Sequence, residues 1–301
     1  EFTLIKFPYE DGFLIAATLR PETMYGQTNM WVNPDVVYVR AKVDKEIWYV
    51  SSACAEKLSH QDKQVEILGK VKGEKFLGKT CRAPFVNKDI LILPSTHCDQ
   101  EIATGIVTSV PSDAPFDYIA LQALQDSEKL CKKYGLDHKK VQKIQAIPII
   151  DAEGYSNLPA VDALKKYSIT SPNQKEALEK ATQEVYKAGF HTGVLSVGQY
   201  KGHSVVEAKE KMKKVLLEKG QGELFWETSR PAVSRDGGKV IVAVLDKQWF
   251  LDFSAKGWKE KTKKLLDSMD IVPNKFRKEF EDVFAWLNKR PCARKKGLGT
   301  V

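Results

Sequence analysis

The sequence has neither a closely spaced cysteine pair nor a long apolar run. Its five cysteines show no C-x-x-C spacing, which argues against a disulfide framework and against a zinc ribbon. No stretch approaches the ~18 consecutive apolar residues of a membrane helix, and the first residues lack the pattern of a signal peptide. We therefore expect a soluble cytoplasmic protein in a reduced compartment, with no membrane partner.

The charge balance is basic, with 47 Lys and Arg against 39 Asp and Glu, which gives a net charge of +8. A basic chain favours a polyanionic partner. Much of the lysine lies in helical segments such as 209–214 and 259–264, however, and solvated helix faces are the preferred explanation of these charges.

The first hundred residues have the pattern of a β-rich core. Short apolar runs separated by Gly, Pro, Asn and Asp predict strands at 13–17, 36–39, 47–50 and 90–93. A further strand over 105–110 leads into a helix start at 112–115, followed by helical periodicity from 118 to 134.

The pattern then becomes helical, and it returns to strands near residue 223. Helices are predicted over 174–188 and 204–219, strands over 224–226 and 239–244, and closing helices over 255–269 and 274–289. The sequence has no internal repeat, so the helical stretch reads as an insertion into the β-rich core.

Two segments stand out, 17–26 and 103–118. In the first, Thr18 and Thr23 flank Pro21 where a strand gives way to an irregular turn, so their hydroxyls are available to a ligand. Threonine hydroxyls in turns also bond local backbone, which is the competing explanation. In the second, we expect Asp113 or its neighbour to cap the helix, with Asp113 the stronger candidate, and the helix start to keep Asp117 ionised and able to hold an ammonium group.

Together the two segments resemble the editing domain of leucyl-tRNA synthetases, in the order and at a separation like those of the family. The similarity covers essentially the whole chain and is closest to the eukaryotic-type cytosolic enzyme. It includes the stretches 27–32, 109–113, 248–252, 292–294 and 297–300. One departure is Ala103, which stands where glycine is usual.

The resemblance implies an α+β fold, a closed β-barrel editing domain of class I aminoacyl-tRNA synthetases with surrounding helices and a helical insertion. Residues 1–301 would form a single editing domain. Within it, 1–139 and 223–254 would be the barrel core, 140–222 the insertion, and 255–301 helices returning toward a catalytic domain that is absent from this chain.

The activity implied is post-transfer editing, the hydrolysis of the aminoacyl ester of tRNA(Leu) mischarged with isoleucine, norvaline or a similar amino acid. Asp117 would bind the substrate amine, Thr18 and Thr23 would form a threonine-rich wall, and Thr23 would exclude leucine. The residues matched to the substrate or the tRNA end are Arg20, Leu19, Tyr25, Val107, Thr108 and Ser109. The partners would be the 3′ end of the tRNA and the rest of the synthetase, with the domain itself a monomer.

The family's synthetic site needs a His-Ile-Gly-His-like turn and a Lys-Met-Ser-Lys-Ser-like loop, and neither occurs in the sequence. We therefore expect no cofactor in this domain, because ATP and magnesium belong to the absent synthetic domain. We also expect no bound metal.

Three alternatives compete with this interpretation. Residues 73–80 match the phosphate-loop pattern G-x-x-x-x-G-K-T, but the helix required after Lys79 would meet Pro84 in its second turn. His97, Cys98 and Asp99 suggest a metal, although no second cluster complements them. A noncatalytic tRNA-binding module would share the basic charge and differ by showing no ester hydrolysis.

Overall fold

The computed structural model describes residues 1–245 and 249–292. These residues fall into two compact units, one from Glu1 to Ala243 and one that begins at Val244. Gln248 and residues 293–301, which carry part of the resemblance described above, lie outside the described residues.

The first unit contains twelve strands and seven α-helices among its described residues. The strands are β1 (Phe2–Tyr9), β2 (Gly12–Thr18), β3 (Asn29–Val32), β4 (Val37–Val43), β5 (Glu46–Ser51), β6 (Val65–Lys72), β7 (Thr80–Ala83), β8 (Lys88–Pro94), β9 (Ile106–Ser109), β10 (Ile150–Asp151), β11 (Val194–Leu195) and β12 (Gly222–Phe225). The helices are α1 (Ser52–Ser59), α2 (Pro115–Gln125), α3 (Glu128–Lys133), α4 (His138–Gln142), α5 (Pro159–Lys166), α6 (Lys175–Thr192) and α7 (Val205–Glu218).

The second unit is smaller and pairs two short strands beside two helices. Its elements are β13 (Phe250–Asp252), α8 (Trp258–Asp267), α9 (Phe276–Trp286) and β14 (Lys289–Pro291). Strands β13 and β14 are antiparallel, with Leu251 opposite Arg290. No helix within 1–245 and 249–292 combines the length and the apolar character needed to cross a membrane.

Two mixed sheets form the centre of the first unit. One has six strands in the order β12-β1-β2-β5-β4-β6, and the other has four in the order β7-β8-β3-β9. Their inner faces share one apolar core that includes Ile5, Leu14, Met30 and Ile92. The fold is therefore mixed α+β, as the sequence predicted. Among the described strands, however, hydrogen bonding does not close the two sheets into a single ring.

The packing of the sheets brings the two singled-out segments together. Strand β2, which ends at Thr18, lies against β9, and β9 pairs antiparallel with β3 so that Thr108 is opposite Met30. A 3-10 turn over Pro21–Gly26 follows β2, as the fixed φ of Pro21 favours. The end of β2 and the whole of β9 thus lie side by side, although almost ninety residues separate them in the chain.

Most predicted helices are confirmed, but one of them is divided into two helices in the structure. Helices α6 and α7 match the predictions for 174–188 and 204–219, and the hydroxyl of Ser204 caps α7 by accepting from the amide of Glu207. The predicted helix over 118–134 is instead two helices. The Ser127 side chain accepts from the amide of Leu130 and starts α3 afresh, because a serine competes with the helix for backbone partners.

The predicted strand over 239–244 is wrong. Residues 239–245 form no strand, and their backbone bonds go elsewhere. The amide of Val240 donates to the carbonyl of Ala232, and the Gln61 side-chain amide donates to the carbonyl of Val242 at 3.3 Å. The backbone of this segment therefore bonds to a loop and to a side chain, and not to the neighbouring strand that the prediction required.

The stretch predicted as the insertion, 140–222, contains α5, α6 and α7 together with the two-residue strands β10 and β11. The division into barrel core, insertion and returning helices within a single editing domain stays a prediction.

The phosphate-loop alternative fails on structure. Residues Gly73–Phe76 form a 3-10 turn, and Thr80 begins strand β7, where a phosphate loop requires a helix. The next helix in the chain, α2, begins only at Pro115. The Lys79 ammonium pairs with the Glu10 carboxylate at 2.7 Å, on the protein surface.

Gly73 is needed for packing, and this gives a stability prediction. A Cβ on Gly73 would lie 1.9 Å from the carbonyl oxygen of Asn33, whereas a Cβ on Gly69 would meet nothing within 4 Å. We expect Gly73→Ala to lower the free energy of unfolding by about 1–3 kcal/mol through overpacking, and Gly69→Ala to leave it nearly unchanged. Urea denaturation of both variants checks this. Equal midpoints for the two would contradict it.

Candidate active site

Two adjoining cavities lie beside the start of helix α2. The smaller, of about 270 Å³, is bounded by the ends of β2 and β9, the first turn of α2 and one face of α6. The larger, of about 630 Å³, is bounded by β3, the loop 95–100 and the same helices. Val107, Phe116 and Asp117 line both, so these three residues stand where the cavities meet.

Asp117 is held by two donors, one on a strand and one directly after another strand. Its Oδ1 accepts from the indole N–H of Trp31 at 2.9 Å, and its Oδ2 accepts from the backbone N–H of Val110 at 2.7 Å. Trp31 belongs to β3, and Val110 directly follows β9. The carboxylate is thus fixed in orientation, and each oxygen keeps lone-pair capacity for a further donor.

Burial raises the pKa of Asp117 to about 7, and the bonds from Val110 and Trp31 oppose that rise. Burial and the helix start therefore act on this carboxyl in opposite directions, and its ionisation in the free protein stays a prediction. An ammonium group bound beside Asp117 would restore the charged form, since an opposite charge nearby lowers a carboxyl pKa.

The expectation that the Asp113 side chain caps α2 is wrong. Ala114 is the capping residue of α2, and it makes no side-chain cap bond. The Asp113 carboxylate instead accepts from the Ser112 hydroxyl at 2.6 Å and is buried on the wall of the smaller cavity. Pro115 at the helix start has no N–H to satisfy, so less is gained from a side-chain cap.

Thr18 and Thr23 both line the smaller cavity, and both also bond local backbone. Thr18 Oγ1 accepts from the amide of Arg20 at 2.9 Å, and Thr23 Oγ1 donates to the carbonyl of Arg20 at 2.8 Å. The two explanations considered for these residues are therefore compatible. The local bonds fix the threonine rotamers, and the cavity wall is built from fixed side chains.

Arg20 lines the same cavity but is already engaged by protein groups. Its Nε donates to Glu22 Oε1 at 2.9 Å, and its guanidinium lies 4.5 Å from the centre of the Tyr186 ring on α6. This stacking joins the loop after β2 to helix α6 across the cavity.

Of the remaining residues predicted to contact the substrate or the tRNA end, some line the cavities and others do not. Leu19, Val107 and Thr108 line the smaller cavity, and Leu19 and Val107 are partly exposed. Ser109 is fully buried and is not among the residues that line it. Tyr25 also lies away from both cavities. Its ring packs edge-on against Phe85, and its hydroxyl accepts from the amide of Gln199 at 3.3 Å.

Sequence reasoning missed the contributions of Trp31, Thr182 and Tyr186. Trp31 orients Asp117 from a strand far away in the chain, and no local pattern signals that contact. Thr182 and Tyr186 belong to α6 and line the smaller cavity. Their spacing on one helix face was a readable signal, but only the fold shows which side of that helix faces the site.

His97, Cys98 and Asp99 line the larger cavity, where the His97 ring packs edge-on against Phe116. Burial of His97 lowers its pKa. Over 1–245 and 249–292, no group of three or more His, Cys, Asp and Glu has the arrangement of a metal site.

The curated proteins most similar to this chain in sequence include several leucine–tRNA ligases. No protein-family model matches the chain. The leucine–tRNA ligase of Pyrococcus furiosus is 43% identical over the whole of this chain, and that of Methanocaldococcus jannaschii is 40% identical. The chain spans 32% of the length of each. Both relatives are archaeal enzymes, so the sequence comparison does not single out the eukaryotic type.

Solved structures agree with the sequence comparison. One described as GlLeuRS-CP1 is 30% identical with a TM-score of 0.69, and the match covers 76% of this chain and 100% of that one. The editing domain of the cytosolic leucyl-tRNA synthetase of P. knowlesi is 25% identical with a TM-score of 0.69, covering 75% of this chain and 96% of its own. The chain therefore belongs to the leucyl-tRNA synthetase family and corresponds to its CP1 editing domain.

Proposed function

We propose that this chain carries out post-transfer editing, the hydrolysis of the ester that joins a wrong amino acid to the terminal adenosine of tRNA(Leu). The observation that carries the proposal is Asp117, a carboxylate fixed by two donors at the junction of two cavities. One cavity has a threonine-containing wall suited to a small side chain, and the other leaves room for the nucleotide end of the substrate.

A separate hydrolytic site answers a physical limit on amino acid selection. Isoleucine and norvaline differ from leucine only in the branching or length of an apolar chain, and a hydrophobic pocket gains only ~1–3 kcal/mol per methylene. A second pocket that admits the errors and excludes leucine supplies the missing discrimination. We propose isoleucine, norvaline and similar residues as the amino acids removed.

In the proposed reaction Asp117 holds the substrate ammonium and so fixes the ester relative to the threonine wall. A water oxygen forms the new bond to the ester carbonyl carbon, the bond to the ribose oxygen breaks, and that oxygen leaves as a hydroxyl. Hydroxyls and backbone groups around the cavity orient the water and the carbonyl. The reaction uses water alone, so the domain needs no cofactor, ATP and magnesium being required only at the synthetic site.

The other assignments follow from this one. Thr18 and Thr23 form the wall against the substrate side chain, and Thr23 excludes leucine. Leu19, Val107 and Thr108 contact the substrate, and Arg20 acts near the terminal nucleotide while stacked on Tyr186. Tyr25 and Ser109 are retained as tRNA-end residues only through the family resemblance, since neither lines the two cavities beside α2.

The setting of the domain is part of the proposal. We expect a monomer in the cytoplasm, attached to the rest of a synthetase and acting on the 3′ end of tRNA(Leu). We also expect the two sheets to act as one barrel, because β1 lies against β7 and β2 lies against β9 around a shared core.

The direct test is release of norvaline or isoleucine from preformed mischarged tRNA(Leu), with the domain at high concentration. Release above the uncatalysed rate, with leucyl-tRNA left intact, supports editing. Binding of the tRNA without release would favour a noncatalytic tRNA-binding module.

The raised pKa of Asp117 predicts a pH dependence. Ammonium binding needs the ionised carboxylate, so kcat/KM should fall about tenfold per pH unit below about pH 7. Trp31→Phe removes a donor that lowers this pKa, and it should move the acid limb to higher pH. Rates over about pH 5.5 to 8.5, corrected for uncatalysed hydrolysis, check both. A flat acid side, or an unmoved limb in Trp31→Phe, would contradict the assignment.

A further inference from the structure

One face of helix α6 forms a wall of both cavities. Lys175 and Glu179 line the larger cavity, and Thr182 and Tyr186 line the smaller. Their spacing of four, three and four residues places them along a single stripe of the helix. The neighbouring face of α6 is buried against helices α2 and α5 through Leu178, Ala181 and Val185. Helix α6, from the stretch predicted to be an insertion, thus contributes to the walls of both cavities.

Thr182 has an unusual hydrogen-bonding state for a helical threonine. Within the part of the chain that the structure describes, its buried Oγ1 has no hydrogen-bond partner. A threonine in a helix commonly bonds the carbonyl four residues earlier. Thr192 on the same helix does so, with its Oγ1 donating to the Ala188 carbonyl at 3.0 Å. Thr182 therefore does not make the hydrogen bond to the carbonyl four residues earlier that is open to it in the helix.

A second threonine repeats this state on a different element of the same cavity. Thr108 on β9 lines the smaller cavity, and its buried Oγ1 also lacks a partner among the described residues. Buried hydroxyls without partners are rare, because a buried donor or acceptor that makes no hydrogen bond destabilises the folded protein. Two of them around one cavity point to a polar ligand as the missing partner.

We propose that the Thr182 hydroxyl hydrogen-bonds the bound aminoacyl ester, at an oxygen of the ester or of the adjoining ribose. This inference rests on the proposed function. The ammonium is already matched by Asp117, and the polar groups bonded nearest to it in the substrate are the ester and ribose oxygens. A hydroxyl can donate to these oxygens, and it can also accept from a ribose hydroxyl. Stacking of Arg20 on Tyr186, one turn further along α6, keeps Thr182 at the cavity.

Thr182→Val tests the proposal, because valine keeps the shape and removes the hydroxyl. We expect kcat/KM for norvalyl-tRNA(Leu) to fall about tenfold, as for loss of one hydrogen bond, and the Kd of a non-hydrolysable amide analogue of norvalyl-adenosine to rise by a similar factor. Thr182→Ser should stay within about threefold of the wild-type values. The Tm of Thr182→Val should be unchanged or higher, since an unsatisfied buried group is removed.

Thr192→Val is the matched control on the same helix. It loses the bond to Ala188 and should show a lower Tm with unchanged editing. If wild-type protein releases no norvaline, the proposed function fails. If the wild type is active and Thr182→Val retains both activity and analogue affinity, or if it loses activity only together with Tm, the assignment of Thr182 is overturned.

Discussion

Asp117→Ala should lower the release of norvaline from mischarged tRNA(Leu) by about a thousandfold, because the ammonium loses a buried charged partner. Truncating one member of a buried, hydrogen-bonded charge pair costs about 2–5 kcal/mol, and each 1.36 kcal/mol is a factor of ten in rate. Loss of the anchor also lets the ester move relative to the attacking water, which adds to the effect. Single-turnover release of the amino acid is the measurement.

The same substitution has a structural cost that must be separated from the catalytic one. The indole N–H of Trp31 and the backbone N–H of Val110 both lose their acceptor, at about 1–3 kcal/mol each. Rates are therefore compared at a temperature where circular dichroism shows the variant folded. Asp126→Ala, at the exposed end of the same helix, is the matched control and should edit normally.

Asp117→Asn separates charge from packing. The amide oxygen can accept one of the two N–H bonds, but the amide nitrogen faces the other donor and the side chain carries no charge. Editing should be lost nearly as completely as in Asp117→Ala. Retention of activity within tenfold in a folded Asp117→Asn protein would show that the carboxylate charge does not bind the substrate.

The sequence was a good guide to local elements and to the segments around the site. Strand β9, the turn after it and helix α2 follow from one contiguous pattern of β-branched residues, proline and helical period. The end of β2 at Thr18 follows from Pro21. Both segments reach the same cavity because β2 lies against β9, and the family resemblance supplied that juxtaposition where periodicity did not.

What the sequence could not give depends on distant contacts. The bond from Trp31 to Asp117 spans 86 residues, and the burial that raises the Asp117 pKa comes from several elements at once. The direction in which α6 faces is another such property. Its pattern predicts an amphipathic helix, but it does not show that the polar stripe from Lys175 to Tyr186 borders a site and not bulk water.

The failed strand at 239–244 has the same origin. A run of β-branched residues fits a pleated surface only if a neighbouring strand is free to pair with it. Here the Gln61 side chain takes the Val242 carbonyl, and the strand signal is overridden. The sequence of this segment favours a strand, but no strand pairs with it among the described residues, and it forms a loop.

Thr23→Ala should make the protein hydrolyse correctly charged leucyl-tRNA, with a rate about a hundredfold above wild type. Thr23 is 5% exposed, lines the smaller cavity, and is pinned by the bond from its Oγ1 to the Arg20 carbonyl. A fixed side chain excludes leucine by volume, and alanine removes both of its branches. The expected increase in rate corresponds to the ~1–3 kcal/mol by which a hydrophobic pocket discriminates one methylene group.

Two further substitutions show whether volume or the hydroxyl is responsible. Thr23→Val keeps the volume and loses the bond to Arg20, so it should lower stability by about 1 kcal/mol and still protect leucyl-tRNA. Thr23→Ser keeps the bond and removes the methyl, so it should show partial leucyl-tRNA hydrolysis. Norvalyl-tRNA hydrolysis, measured beside leucyl-tRNA, should persist in Thr23→Ala. Equal loss of protection in Thr23→Val and Thr23→Ala would instead make the fixed turn, and not the side-chain volume, the basis of selectivity.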